Sequence, residues 1–500
     1  MKPIYRIIRW ILRAATGVFY GTIEVGGSEN VPQEGKATVL CFNHGNSLGD
    51  AAVIIRCTPR MVRFCAKDGL FHALIYGTLL KGTGAVPVYR QREHGDNSKK
   101  LNIPMYEAVF GALSRGDMLG MAPEGYSRFL PFMSTPLKTG VARIALESVT
   151  RNIESNPTFS VKLLPTGLIY MHREKFRSDV GIIYGDPIVV DGTWLKSDTE
   201  DAVQALMKLL TESLEKITIN CPEWDTTALA MTAACLHRPV VGTNQVGVVM
   251  HILYLRAWIE ALKDTDDPPT KRLRQQLSDY HGVLQAAGIS DECGHLLQLN
   301  NGKVHRTSCS IRMIQYAVLC MLLFICCVPG LGLWAPTWYL IWSKEKKILS
   351  NGPTWADSLA EMKMLYGSLA VIVLSLFLGA MGKGKVLCMI LIYLWMVLRL
   401  HEEGVAAGRM ACSLYSLIRI DNETGKTISK ARHDCKQSVL QYYASHKHFF
   451  ADIGNVSVTK GHYFEHACAN WVMSTFIKRQ KQDWNEILRF RHHNSMDYID

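Results

Sequence analysis

Between residues 22 and 190, short apolar runs alternate with stretches whose apolar positions recur every three or four residues. The runs Thr22–Val25, Ala37–Phe42, Met61–Cys65, Ala85–Val88, Met118–Ala122, Val161–Ile169 and Gly181–Tyr184 predict strands. The stretches Leu70–Leu80, Pro104–Leu113 and Thr139–Ser148 predict helices between them. Strand and helix in alternation over this length imply one α/β domain built on a mixed sheet.

From about 191 to 305 the period is helical, over Glu200–Ile217, Val246–Lys263 and Thr270–Ala287, with a break at Ile219–Asp225 around Cys221-Pro222. A long apolar region follows. Ile314–Trp342 carries Pro329-Gly330 inside it, which fits either one kinked span or a re-entrant hairpin. Leu365–Met381 and Val386–Leu400, joined by Gly382-Lys383-Gly384-Lys385, read as a hairpin of spans. At the other end of the chain, Ile4, Ile7, Ile8, Ile11 and Leu12 fall at helical spacing among Arg6, Arg9 and Arg13. That is an amphipathic helix suited to a bilayer interface, with its arginines reaching for phosphate, or to packing on the next domain. The expected divisions are an interfacial helix (1–20), a catalytic domain (21–190), a helical extension (191–305), a membrane region (306–402) and a polar C-terminal region (403–500).

Composition changes this picture little. The hydrophobic fraction of 48% is ordinary but is concentrated in the apolar segments. The net charge of +11 is scattered, without a basic run or an aromatic-interleaved basic stripe, so nucleic acid is not an expected partner. A membrane surface and phosphorylated substrates fit the charge better. The fourteen cysteines include no C-x-x-C pair, and Cys320, Cys326, Cys327 and Cys388 lie in apolar segments as small hydrophobes. With no cleavage site after the basic, apolar N-terminus, a reducing, cytosol-facing setting is expected.

Candidate chemistry gathers at predicted strand ends. Asn43-His44-Gly45-Asn46-Ser47-Leu48-Gly49-Asp50 follows the strand Ala37–Phe42. A histidine there can act as a base near neutral pH, with a carboxylate holding its other ring nitrogen. Gly84-Ala85-Val86-Pro87-Val88-Tyr89-Arg90 and Met121-Ala122-Pro123-Glu124-Gly125-Tyr126-Ser127-Arg128 place arginines at two more strand ends, and Lys138 follows in Pro136-Leu137-Lys138-Thr139-Gly140. Such cations suit a phosphate clamp. The pairs His446/His448 and His492-His493 read as solvated tail residues, and Asp264, Asp266 and Asp267 as a loop.

The order of these motifs, completed by Val161-Lys162-Leu163-Leu164-Pro165-Thr166-Gly167, resembles the four blocks of the glycerolipid acyltransferases. The flanks Tyr170–Ser178, Gly185-Asp186-Pro187-Ile188, Ile217–Asp225 and Val328–Trp338 are similar to the fungal and protist branch that acylates glycerol 3-phosphate or dihydroxyacetone phosphate. The resemblance covers roughly residues 20 to 440. One departure concerns the turn. The common pattern has four residues between histidine and aspartate, whereas five separate His44 from Asp50. The extra residue must be absorbed locally, and Gly45 and Gly49 are the expected source of that freedom.

The resemblance implies a mixed-sheet acyltransferase domain with a helical extension and C-terminal transmembrane helices. It implies that His44 deprotonates the acceptor hydroxyl and Asp50 orients it, that Arg90 and Lys138 hold the substrate phosphate, and that Gly125 allows close approach. Glu124 is implied to position the acceptor, and Pro165 to lie toward the acyl-CoA side. Acyl-CoA is then a co-substrate, and neither cofactor nor metal is expected. Glycerol 3-phosphate or dihydroxyacetone phosphate is the implied acceptor, in a multi-pass protein of the endoplasmic reticulum membrane whose catalytic domain faces the cytosol. Two alternatives stand beside this: acylation of lysophosphatidate, and a non-catalytic membrane scaffold that keeps the fold.

Overall fold

The computed structural model describes residues 3–127, 132–173, 175–221, 223–237, 247–289, 291–350, 358–454 and 457–460. Arg128, Pro222, Val246, His492 and His493, all named above, lie outside the described residues.

In chain order the catalytic region runs α1 (Pro3–Phe19), β1 (Ile23–Gly26), β2 (Thr38–Phe42), α2 (Leu48–Cys57), β3 (Val62–Lys67), α3 (Leu74–Thr83) and β4 (Val86–Val88). Then come the short α4 (Gln91–His94) and α5 (Asn97–Leu101), α6 (Ile103–Ser114), β5 (Met118–Met121), α7 (Gly140–Ile153), β6 (Val161–Tyr170), β7 (Val180–Tyr184) and β8 (Ile188–Val190). All seven predicted strands are present within one or two residues of their expected ends. With β8 and a C-terminal strand β9 (Val458–Lys460), they form a mixed sheet in the order β4-β3-β5-β2-β6-β7-β1-β9, with β8 pairing β6. From β4 to β6 the neighbours are parallel, as strands joined by crossover helices must be.

Period-two alternation splits the core between the sheet's faces. Val39 and Cys41 of β2 join Leu119 and Leu163 in a cluster under α7 and α8 (Thr199–Glu215). Leu40 and Phe42 join Met118 and Leu164 in a second cluster with Val53 and Ile54 of α2 and Tyr5 of α1. On α1, Tyr5 and Ile8 are buried while Ile4, Ile7, Trp10 and Ile11 are exposed, so the helix both packs on the domain and presents an apolar outer face. Arg9 departs from the expectation of a phosphate-seeking side chain: it donates to the carbonyls of Arg56 and Pro59.

Pro165 sits inside a central strand, where a missing N–H ordinarily breaks a ladder. Here β8 flanks Val161–Leu163 and β7 flanks Thr166–Tyr170, so the proline falls at the handover between the two neighbours. Its carbonyl accepts from the Gly185 N–H at 2.9 Å.

The helical extension adds α9 (Trp224–His237), α10 (Val248–Ala261), α11 (Pro268–Ala287) and α12 (Asp291–Leu299). Three long apolar helices follow: α13 (Arg306–Leu349), α14 (Leu359–Ala380) and α15 (Gly384–Ile418). All three are long and apolar enough to cross a membrane. The segment around Pro329 is one continuous helix rather than a re-entrant hairpin. At the turn where Pro329 removes a donor, the Tyr393 hydroxyl of α15 accepts from the Gly330 N–H and donates to the Cys326 carbonyl.

The division drawn at 402/403 falls inside α15, because a helix continues past the end of its apolar stretch. Nor is the region beyond it a separate polar tail. Helix α16 (Asn422–Ser445) packs on α11 and α12, where Arg432 pairs with Asp291 at 2.9 Å. Strand β9 (Val458–Lys460) adds an antiparallel edge to β1. Phe450 closes on Trp258 and His237, and burial holds the His237 imidazole down at about 4.

Candidate active site

Strand β2 ends at Phe42, and the chain turns into α2 over Asn43–Ser47, which sets His44 at the carboxyl end of the parallel strands. This is where open α/β sheets place ligands. His44 Nδ1 lies 2.9 Å from Asp50 Oδ2; the Asp50 side chain is fully buried and the His44 side chain is 21% exposed. The same carboxylate oxygen accepts from the Gly45 and Asn46 amides at 3.1 and 3.0 Å, and Oδ1 accepts from the Tyr170 hydroxyl at 2.6 Å. His44, two backbone amides and a phenol thus converge on this one carboxylate in the first turn of α2. Burial first, and the Asp50 charge second, hold the Tyr170 phenol well above its ordinary value, so it donates and stays neutral.

The longer turn is absorbed differently from expectation. Neither Gly45 nor Gly49 takes a positive φ; Ser47 does, at 48°. The glycines are needed for space. A Cβ on Gly45 would lie 2.8 Å from Arg173 Nη1, which donates to the Gly45 carbonyl, and one on Gly49 would lie 3.0 Å from Asn46 Nδ2. In its strained conformation Ser47 gives no side-chain cap to α2; its own amide donates to Ser127 Oγ at 3.0 Å.

His44 lines a cleft of about 1690 Å³ together with Arg90, Gly125, Ser127 and Lys138. Apolar side chains from β2, β3, α3 and α6, among them Phe42, Phe64, Leu80 and Phe110, form much of its wall. Arg90 is exposed at the end of β4. Gly125 has φ 79°, and a Cβ there would come within 2.6 Å of Lys138 Cε and Nζ. The absence of a side chain therefore lets Lys138 lie across the turn, with its ammonium 5.4 Å from the Tyr126 ring centroid.

Two of the expected site residues lie away from the cleft wall. Glu124 does not line the cleft. Its Oε1 accepts from the His44 amide at 2.6 Å and its Oε2 from the Ser134 amide at 2.8 Å, so both oxygens are spent on backbone. Burial pushes this carboxyl above its usual range, and the two amide bonds oppose that rise. Its part is to tie the His44 turn to the segment leading to Lys138. Replacing it with alanine would strand two inward-facing amides, at a cost of about 1–3 kcal/mol. A lowered melting temperature of the detergent-solubilised Glu124→Ala protein would register that loss. Pro165, expected toward the acyl-CoA side, is buried in mid-sheet and does not line the cleft.

Tyr170, Ser127 and Arg173 were not anticipated as part of this network. Tyr170 lies 120 residues from Asp50, and only the pairing of β6 beside β2 brings them together. Beside the cleft, Asp68, Glu93 and His94 place three potential ligand atoms within 4.8 Å of one another. Lys67 Nζ lies 2.9 Å from Glu93, and this cation competes with a metal for that carboxylate.

The model of the Acyltransferase family matches residues 22–168, from β1 through most of β6, and so takes in His44, Asp50 and Glu124, while Tyr170 and Arg173 follow just beyond it. This segment is an acyltransferase-family domain. The protein is similar to glycerol-3-phosphate O-acyltransferase 2 of Saccharomyces cerevisiae, at 32% identity over 49% of this chain and 33% of that protein. It is also similar to glycerol-3-phosphate O-acyltransferase 1 of the same yeast, at 25% identity over 47% of this chain and 30% of that protein. The aligned stretch of the acyltransferase domain and its flank thus spans about a third of each curated relative. Among solved structures, a 1-acyl-sn-glycerophosphate (LPA) acyltransferase, PlsC, from Thermotoga maritima aligns with a TM-score of 0.30 and 18% identity. That alignment covers 41% of this chain and 79% of that one.

Proposed function

We propose that the protein transfers a fatty acyl group from acyl-CoA to the sn-1 hydroxyl of glycerol 3-phosphate or dihydroxyacetone phosphate. The observation that carries this reading is a buried Asp50 holding His44 Nδ1 at the edge of a largely apolar cleft that Arg90 and Lys138 also line. With Nδ1 engaged, Nε2 is the ring nitrogen left to take a proton from the acceptor hydroxyl. The oxygen attacks the thioester carbonyl and the tetrahedral adduct collapses with breakage of the C–S bond. The imidazolium then returns its proton to the departing CoA sulfur. Of the cations that line the cleft, Arg90 and Lys138 are assigned here to the acceptor phosphate, and the apolar wall suits an acyl chain. Glu124, through the His44 amide, positions the base.

Acyl-CoA and the small phosphorylated acceptor are soluble anions, which favours a catalytic domain on the cytosolic face, here of the endoplasmic reticulum membrane. Lys344, Lys346 and Lys347 at the end of α13 fit that orientation, because loops facing the cytosol are enriched in such charges. The test is an acceptor panel: the purified full chain in phospholipid vesicles, with acyl-CoA and either glycerol 3-phosphate, dihydroxyacetone phosphate or lysophosphatidate. Acylation of one or both small acceptors is expected. Transfer to lysophosphatidate alone would replace this reading with sn-2 acylation, and transfer to none would leave the scaffold.

A further inference from the structure

Helix α2 begins with a deficit. Ser47, at φ 48°, provides no side-chain acceptor there; the Gly49 and Asp50 amides donate to the Asn46 and Ser47 carbonyls, and the Leu48 amide is the one left over. The acceptor comes instead from 313 residues away: Glu361 Oε2 takes the Leu48 N–H at 2.9 Å. Glu361 lies in the first turn of α14, one of the three helices among the described residues that are apolar enough to cross a membrane. The attachment is more than a single hydrogen bond. Ala360 is fully buried in the cluster that holds Val53 and Ile54 of α2 and Leu40 and Phe42 of β2, and Met364 packs against the same cluster. Lys363, one turn along, pairs with Glu345 of α13 at 3.0 Å. On the other side of the carboxylate is α3, where burial first and the Glu361 charge second push the Tyr76 phenol up to about 12. The root of α14 is therefore built into the core beneath the catalytic turn.

We infer that Glu361 is a positioning residue for the His44–Asp50 pair, and that through it the catalytic turn is fixed by the seating of the membrane helix α14. The inference rests on the proposed acyl transfer for its functional meaning. The physical chain is short. Glu361 fixes Leu48 at the start of α2, and Asp50 lies two residues on in the same turn. Asp50 in turn holds the imidazole. Ser47 and Leu48 also line the cleft, so the reaction would occur beside the point where α14 leaves the domain, close to the bilayer into which an acylated product partitions. An N-terminal acceptor bound to a backbone amide matters little to substrate affinity and much to the placement of groups in that turn.

The experiment uses the full chain in phosphatidylcholine vesicles and compares wild type with Glu361→Ala and Glu361→Gln. Gln keeps an acceptor oxygen; Ala does not. Glu361→Ala is expected to lower kcat about tenfold with both KM values within about twofold of wild type, and Glu361→Gln to restore most of the rate. Amide hydrogen exchange, measured without substrate, is expected to quicken over residues 43–57 in Glu361→Ala and to stay near wild type in Glu361→Gln, with the β7 peptide unchanged in both. Unchanged exchange over 43–57 in Glu361→Ala would overturn the inference, as would equal losses in the two variants. Should no acceptor be acylated even by wild type, the proposed function fails, while the exchange comparison still decides the coupling.

Discussion

Replacing His44 with alanine is expected to lower the rate of acyl transfer by about 10²–10⁴-fold, the usual worth of a positioned base. The fold has little reason to respond. The side chain stands at a strand end, its ring 5.7 Å from that of Phe42, and its loss leaves Asp50 with the Gly45, Asn46 and Tyr170 donors. The Glu124 carboxylate binds the backbone amide of residue 44, which alanine retains. Membrane association and melting temperature should therefore match wild type, and both KM values should move little, because Arg90 and Lys138, the proposed phosphate cations, are untouched. Initial rates at saturating acyl-CoA and glycerol 3-phosphate give the comparison. A rate within tenfold of wild type would reject His44 as the base.

Asp50→Asn is expected to cost a similar 10²–10⁴-fold in kcat, with a measurable loss of stability as well. The substitution keeps size and shape but offers one oxygen where the aspartate offers two and a charge. Oδ2 now serves His44 Nδ1 and two backbone amides, while Oδ1 takes the Tyr170 hydroxyl. An asparagine oxygen left with the amides turns its NH₂ toward Tyr170, and the imidazolium formed during transfer loses its counter-charge. Weakening this buried cluster should lower stability by about 1–3 kcal/mol. Kinetics and thermal melts separate the two effects: normal stability with a lost rate would assign Asp50 to chemistry alone, and a normal rate would sink the pair as catalytic machinery.

What the sequence reveals here follows from distance along the chain. The strands from β1 to β7 are legible because period-two runs and the turns that bound them are local. The pairing of His44 with Asp50 is legible because seven consecutive positions, 44–50, contain both. The special conformation at Ser47 is not, since two glycines nearby are the more ordinary place for flexibility, and the closeness of Gly45 to Arg173 depends on a side chain that arrives from elsewhere. Glu124 reads as a substrate residue because it sits in a motif at a strand end; its inward turn is decided by the orphan amides of residues 44 and 134. Tyr170 and Glu361 are invisible locally because sheet order and the packing of α14 bring them to the site. The C-terminal region misleads for the same reason: α16 takes its place only by packing on α11 and α12, and β9 only by pairing with β1.

Direct transfer, with a histidine base and no acyl-enzyme, is the claim on which the chemistry depends, and Ser47 and Ser127 stand in the same cleft as possible nucleophiles. The most direct measurement is rapid mixing of the vesicle-bound wild-type protein with acyl-CoA, following CoA thiol release without acceptor and then with glycerol 3-phosphate. Release that begins only with the acceptor is the predicted result. A burst of about one CoA per chain before any acceptor is added, the mark of a covalent intermediate, would contradict it.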